Sequence, residues 1–354
     1  MNVLVVCPNW VGDAVMATPA LRALRRGFSG ARIVGLMRPV IADVLDGLGC
    51  FDVSLVWKPR SKQRSERTWS VIKALRRERI DLAVLLPNSF HSAAVAWLAG
   101  ARRRVGYRRD GRGWLLTDAI EPLKAGRRFV PTPVIDYYLE LAYYLGCPRE
   151  SYRLSLATTP ADEQAADRVW TACRLGTAER VVVLNPGAAY GLAKCWPTEH
   201  FADLARNLAR MHGTQVLVLC GPTERTMAQT IVQEADYPSV HSLADFPVSI
   251  GLSKACVRRC DLMIATDSGP RHLAAAFDVP VITLFGPTHI EWSETYFDKA
   301  LHLQKKVPCG PCQLRECPLD HRCMRELEPE QVLRSALDML DRFPREARPL
   351  RRPA

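Results

Sequence analysis

The sequence predicts an α/β protein built from two Rossmann-like halves, and three observations predict it. Its 354 residues suffice for two domains at about 100–200 residues each. Short apolar runs alternate with helical patterns in one series through the first half, and a second such series begins near Arg180. That order gives mainly parallel sheets with helices on both faces. The loops after several of the apolar runs carry Gly, Asp, Lys and His, at the strand ends where open parallel sheets bind ligands.

In the first series the strand candidates are Val3–Cys7, Ile33–Leu36, Val53–Trp57, Leu82–Leu86 and Arg104–Tyr107. Between the first two, a proline at position 19 would break a single helix over Ala14–Arg26. A short turn from Asp13 is expected instead, then a fresh helix capped by Thr18 with Pro19 at its first position. The second series offers Val181–Asn185, Gln215–Cys220, Leu262–Thr266 and Val281–Phe285. Phe201, Leu204, Ala205 and Leu208 fall at helical spacing, and Gly213 is a natural stop. The expected domains are residues 1–157 and 180–328, with 158–179 as a linker region in which Thr158-Thr159-Pro160 is followed by a helix-like segment. An amphipathic helix follows over 329–343, then a basic tail over 344–354, expected to be disordered.

Forty-eight Lys and Arg against 37 Asp and Glu leave a net charge of +11. Such an excess suits nucleic acid, an anionic membrane surface or a phosphorylated substrate. No apolar run reaches the roughly 18–20 residues of a membrane span, and the N-terminus lacks the basic start and long apolar stretch of a signal peptide. A cytoplasmic protein is therefore expected. Of twelve cysteines most are scattered among apolar residues, as small core residues would be.

Three loops could carry chemistry. Asn9-Trp10-Val11-Gly12-Asp13 follows the first strand and has one glycine, so it is not a dinucleotide fingerprint. Asp13 reads either as a helix N-cap or as a carboxylate that takes a proton from an attacking hydroxyl. Asn185-Pro186-Gly187 leads through Gly191 to Lys194, which reads as a phosphate-binding cation or as an exposed lysine on a solvated turn. Asp267-Ser268-Gly269-Pro270 opens a helix whose free amides would cradle a diphosphate, with Asp267 or Ser268 as cap. His272 on that helix is either a packed residue or a ligand. Glu224, after another strand, offers a carboxylate for ribose hydroxyls.

These pieces occur in a set order across most of the chain. They are Trp10–Asp13, Ala17–Leu21, Leu86–Phe90, Arg104–Tyr107, Leu115–Thr117, Asn185–Ala188 with Lys194, Thr266–Gly269, His272–Ala276 and Phe285–Thr288. Together they resemble the bacterial lipopolysaccharide heptosyltransferases of glycosyltransferase family nine, and most of all its heptosyltransferase II type. The resemblance implies a GT-B fold, two Rossmann-like domains facing a central cleft. It implies inverting, metal-independent transfer of heptose from ADP-L-glycero-β-D-manno-heptose, with no cofactor. The acceptor would be the first heptose on Kdo–lipid A, at the cytoplasmic face of the inner membrane. On this sequence Asp13 becomes the base and Lys194 neutralises the departing ADP. Gly187, Glu224, Asp267, Ser268, Gly269 and His272 bind the donor, while Trp10, Asn88, Ser89 and Arg104 line the acceptor side. Heptosyltransferase I, or a relative with another acceptor, is the nearest alternative.

Arg102, Arg103, Arg104, Arg108, Arg109, Arg112, Arg127 and Arg128 cluster in the acceptor half. They suit an anionic inner core and membrane surface, or are simply a solvated face. Cys309, Cys312, Cys317 and Cys323 fall close together, with His321 among them. Zinc held by four thiolates, or by three and His321, is one reading. Free thiols packing a proline-bent loop is the one adopted. A basic zinc-containing nucleic-acid-binding protein would explain the charge and the cysteines. It would not explain two Rossmann halves with phosphate loops, and no nucleic-acid signature is visible, so no nucleic-acid partner is expected.

Overall fold

The computed structural model describes residues 1–126 and 128–344, apart from the side chains of Ala125 and Arg128. The chain forms two compact units. Met1–Ala157 with Glu291–Thr295 make the first; Thr158–Ile290 and the chain from Tyr296 onward make the second. Arg127 of the arginine cluster and residues 345–354 of the expected tail lie outside the described residues.

The strands of the first unit are β1 (Asn2–Val6), β2 (Arg32–Met37), β3 (Val53–Val56), β4 (Leu82–Leu85), β5 (Arg103–Tyr107) and β6 (Asp118–Ile120). They pair in the order β3-β2-β1-β4-β5-β6, every neighbour parallel. A small antiparallel hairpin, β7 (Lys124–Ala125) with β8 (Arg128–Phe129), follows. The helices are α1 (Val11–Met16), α2 (Thr18–Gly27), α3 (Pro39–Leu45), α4 (Thr68–Glu78), α5 (Phe90–Leu98) and α6 (Val134–Tyr144).

The second unit repeats the plan. Its strands are β9 (Arg180–Asn185), β10 (Thr214–Val218), β11 (Val240–Ser242), β12 (Leu262–Thr266), β13 (Val281–Phe285) and β14 (Ala300–Gln304). Their order is β11-β10-β9-β12-β13-β14, again all parallel. The helices are α7 (Pro160–Ala172), α8 (Thr198–Ala209), α9 (Arg225–Ala235), α10 (Ile250–Arg259), α11 (Arg271–Ala276), α12 (Arg322–Arg325) and α13 (Pro329–Arg342). In each sheet the chain starts at a central strand, builds outward to one edge, then returns to build the other. The switch falls between β1 and β4 in one sheet and between β9 and β12 in the other. Loops leaving the carboxyl ends of such a pair diverge and open a crevice, which is where these sheets bind ligands.

The central strands are covered on both faces, so they read as nearly unbroken apolar runs: Val-Leu-Val-Val in β1, Leu-Met-Ile-Ala in β12, Val-Ile-Thr-Leu-Phe in β13, all buried. The edges behave differently. β6, β11 and β14 carry mixed or half-buried residues, and their weak pattern hides them from a reading by apolar runs. Among the described residues no helix is long and apolar enough to cross a membrane.

Three expectations need correction. Thr18 does not cap α2. Ala17 holds that position without a side-chain cap, and Pro19 is the second helical residue. Pro19 has no N–H to give the Val15 carbonyl four residues back, and the Thr18 hydroxyl donates to it instead at 2.7 Å. Residues 158–179 are not a free linker, because α7 belongs to the second unit. Thr159 and Asp162 form a reciprocal capping box at its start. Glu163 then pairs with Arg259 at 2.5 Å and Arg258 at 2.8 Å, both on α10. The terminal helix α13 is likewise part of the second unit, packed on α8.

One buried charge organises the first unit. Arg112 has no solvent exposure and pairs with no carboxylate among the described residues. Its guanidinium donates to the Tyr107 carbonyl at 3.0 Å, the Ser92 hydroxyl at 3.1 Å, the Asn88 side-chain oxygen at 3.3 Å and the Pro87 carbonyl. It thereby ties the carboxyl end of β5 to the loop after β4. Burial pulls its pKa down to about 10, which leaves it charged at neutral pH. Arg112→Met should strand those acceptors, at about 1–3 kcal/mol for each that finds no substitute. A loss of about 3 kcal/mol in urea unfolding is expected, and a loss under 1 kcal/mol would contradict it.

Candidate functional site

In the first unit the switch-point loops bring four of the expected residues to the carboxyl end of the sheet. Trp10 immediately precedes α1 and is more than half exposed. Asp13 is not the N-cap of α1; it is the third residue of the helix, in the first turn, where the partial positive charge of the helix start favours a carboxylate. Its charge reaches the fully buried Tyr138, whose phenol is held well above its ordinary value, mostly by burial and then by Asp13. Across the switch point, the Asn88 side-chain oxygen accepts from the Tyr137 hydroxyl at 3.1 Å as well as from Arg112. Ser89 caps α5, accepting the Ser92 N–H at 3.3 Å. Arg104 is not brought to this group. It is the second residue of β5, near the amino end, and its guanidinium donates to the carbonyls of Leu115 at 2.6 Å and Ala101 at 2.5 Å.

The second unit assembles its candidates more tightly. Asn185 ends β9 and donates across the switch point to the Ser268 hydroxyl at 3.1 Å, next to the end of β12. Thr266, the last residue of β12, donates to the Gly187 carbonyl at 2.7 Å. Lys194 folds back so that its ammonium meets Asp267 twice, at 2.5 Å to the carboxylate and 3.1 Å to the carbonyl. Asp267 does not cap α11, where Pro270 holds the cap position without a side-chain cap. Its carboxylate is taken up by Lys194, by the Thr288 hydroxyl at 2.6 Å and by Arg271 at 3.6 Å.

Glu224 lies against the same loop. A Cβ on Gly187 would fall 1.9 Å from the Glu224 carboxylate, which accepts the Gly221 N–H at 2.8 Å. Glycine at 187 is what lets that carboxylate sit beside the loop. His272 is fully buried in α11, and burial together with nearby Arg271 holds its pKa well below 6.5, so the ring is neutral. Its Nδ1 is a buried polar atom without a hydrogen-bond partner among the described residues.

The cysteine segment turns out to be a clasp on the Lys194 loop. The Tyr190 hydroxyl donates to the Gln313 carbonyl at 2.9 Å, the Ala193 N–H donates to the Arg315 carbonyl at 3.0 Å, and His321 Nε2 meets the Ala193 carbonyl at 2.8 Å. A Cβ on Gly191 would lie 2.3 Å from that Arg315 carbonyl, so only glycine allows the two backbones to approach. The four thiols line one small cavity beside Ala193 and His321 and are all unpaired. Burial, aided by the other three thiols, pushes Cys323 up to about 11. No group of three or more His, Cys, Asp or Glu among the described residues is set to hold a metal ion.

Sequence reasoning missed the groups that hold these residues in place. Thr288 lies within a quoted motif and Arg271 stands four residues after Asp267, yet one sequence does not show that both close on its carboxylate. Tyr137, Arg112, Tyr190 and His321 carry even less local signal.

Residues 68–322 match glycosyltransferase family 9 (heptosyltransferase). The chain belongs to this family. It is therefore a glycosyltransferase. It is 26% identical over 354 residues to lipooligosaccharide heptosyltransferase 2 of Campylobacter jejuni, covering 96% of this chain and 98% of that protein. It is 28% identical over 311 residues to lipopolysaccharide heptosyltransferase 2 of Escherichia coli, covering 85% and 87%. The solved structure of E. coli ADP-heptose LPS heptosyltransferase II aligns with a TM-score of 0.78 at 24% identity, over 97% of this chain and 99% of that one. That likeness confirms the expected fold class.

Asp267 gives this family member a pH signature. Burial alone would raise its carboxyl, but Arg271, Lys194 and Thr288 outweigh burial and hold it below the usual 3.8. A depressed carboxyl contributes stability above its unfolded pKa and loses it as pH falls through the folded value. Asp267→Asn should thus be less stable than the parent at pH 7, by about 2 kcal/mol. The gap should shrink on acidification below about pH 4. Denaturant titrations at pH 7 and pH 3 check this, and a gap that widens in acid would refute it.

Proposed function

We propose that this glycosyltransferase moves L-glycero-D-manno-heptose from ADP-heptose to the first heptose of the lipopolysaccharide inner core, as a heptosyltransferase II. The observation that carries the proposal is the constellation of Asn185, Lys194, Asp267 and Ser268 around the switch point of the second sheet. It sets a lysine and a glycine-containing loop where a nucleotide diphosphate binds in such sheets. The curated relatives named above support the choice of sugar and acceptor.

The chemistry follows from those groups. The acceptor hydroxyl oxygen attacks the anomeric carbon as the bond from that carbon to the diphosphate oxygen breaks, which inverts the centre in a single displacement. The hydroxyl proton passes to the Asp13 carboxylate and ADP leaves. A helix start makes Asp13 a weak base, which suffices if the proton moves late, after the attacking oxygen has become acidic. Charge develops mostly on the leaving diphosphate. Lys194 gives two N–H groups to Asp267 and keeps a third for a phosphate oxygen, so the cation is held in place before the charge appears. Ser268 and the Gly269 backbone complete the diphosphate site, Glu224 binds the ribose hydroxyls, and His272 offers its unpartnered neutral nitrogen to the donor.

On the acceptor side stand Trp10 and Asn88, with Ser89 capping the helix that follows Asn88. Arg104 is not among them, because its guanidinium is committed to two carbonyls. The acceptor is lipid-anchored, which places the enzyme at the cytoplasmic face of the inner membrane.

Incubating ADP-heptose with Kdo–lipid A acceptors that carry or lack the first heptose tests the assignment. Transfer to the heptosylated acceptor is expected, and transfer only to the bare acceptor would overturn it. Asp13→Asn should leave ADP affinity nearly intact and lower kcat by about 100-fold or more; near-normal turnover removes the base from Asp13. Lys194→Ala should weaken ADP binding and turnover together, and unchanged values for both would move the phosphate site elsewhere.

A further inference from the structure

The first unit carries an exposed aromatic surface that the proposed chemistry does not use. Phe90 and Trp97 of α5 project to solvent, and Trp114, 70% exposed, lies over both at 6.0 Å and 6.4 Å between ring centroids. From Trp114 the surface continues without a break. The Arg108 side chain runs beside Gly113 and pairs with Glu121 at 2.6 Å, and Glu121 meets Lys124 at 3.9 Å. Lys124 and Arg109 both sit over the exposed Phe129 ring, at 5.5 Å and 4.1 Å. Leu123, 68% exposed, and Val130 flank the same hairpin. Exposed aromatic patches rimmed by polar and charged residues mark interaction surfaces.

The charge around it says which partner. Three cations, Arg108, Arg109 and Lys124, lie among these rings, with the Glu121 carboxylate paired to Arg108 and Lys124. Tryptophan and phenylalanine interleaved with cations match a membrane interface, where the rings sit at headgroup level and the cations meet anionic lipid. A second copy of the chain fits poorly, because a two-fold interface presents the same patch to itself and would set arginines against arginines.

We infer that the surface formed by Phe90, Trp97, Trp114, Leu123 and Phe129, with Arg108, Arg109 and Lys124, docks the enzyme on an anionic bilayer. The inference deepens the reading above, which gives the enzyme a lipid-anchored acceptor.

Sedimentation with vesicles tests it, comparing phosphatidylglycerol-containing vesicles with phosphatidylcholine alone. The parent should bind the anionic vesicles, more weakly at high salt, with the tryptophan emission shifted to the blue. Trp97→Ser/Trp114→Ser and, separately, Phe129→Ser should each cut vesicle affinity at least ten-fold while ADP affinity stays within two-fold of the parent. That unchanged ADP binding shows that the variants fold and separates this test from the donor-site reading. Absence of vesicle binding by the parent, or variants that bind as well as the parent, would overturn the inference. So would lipid-free self-association that disappears in the variants, which would make the surface an interface between copies. Lys194→Ala should lose ADP binding and bind vesicles as the parent does; ADP binding kept by that variant would overturn the donor-site reading while leaving the docking surface standing.

Discussion

The pairing of Lys194 with Asp267 is the contact on which the second unit's chemistry depends. A lysine on a glycine-containing loop has many rotamers, and a cation free to wander stabilises a developing charge poorly. Asp267 removes that freedom by taking two of the three ammonium hydrogens. Asp267 is itself fixed because it begins where β12 ends, and because Thr288 and Arg271 hold its remaining oxygen positions. The cation is thus anchored to the stiffest part of the unit, a central strand buried on both faces. Asn185 does the same for Ser268 from the neighbouring strand. The switch in strand order is what sets these two loops side by side.

The first unit solves a similar problem with the opposite charge. Arg112 is buried without a carboxylate partner among the described residues, and neutral oxygens from the loop after β4 and the end of β5 share its hydrogens. Such a charge is costly to bury. It is tolerated because several acceptors converge on it, and their convergence fixes Asn88 and the start of α5. Tyr137, stacked on Tyr107 at 3.7 Å, adds a second hold on Asn88. In both units the residues expected to touch substrate are few, and a larger set of buried polar groups aims them.

The central strands were legible in sequence because burial on both faces leaves an apolar run with little ambiguity. The edge strands β6, β11 and β14 were not, since half-exposed residues carry no such run. The segment 158–179 looked like a linker because Thr158-Thr159-Pro160 punctuates it. The same residues are also a helix start, and only the ion pairs of Glu163 with α10 reveal where the helix belongs. The loops at strand ends could be read directly, and with them the positions of Asp13, Lys194, Glu224, Asp267 and Ser268 after those strands. Thr288 and His321 could not, because they meet the site loops through the fold, and Arg271, though four residues after Asp267, shows no such pairing in the sequence alone. Arg104 illustrates the converse. It sits in a motif, but the motif's position in the sheet gives the guanidinium a task at the other end of the strand.

The clasp formed by Gln313, Arg315 and His321 has a consequence in time. The loop bearing Lys194 takes three of its contacts from residues made more than a hundred positions later. A ribosome that has delivered the whole parallel sheet through β14 has still not delivered them. The Lys194 loop therefore reaches its final shape only after that later segment has emerged, and a chain ending after β14 would keep the whole second sheet while lacking the clasp.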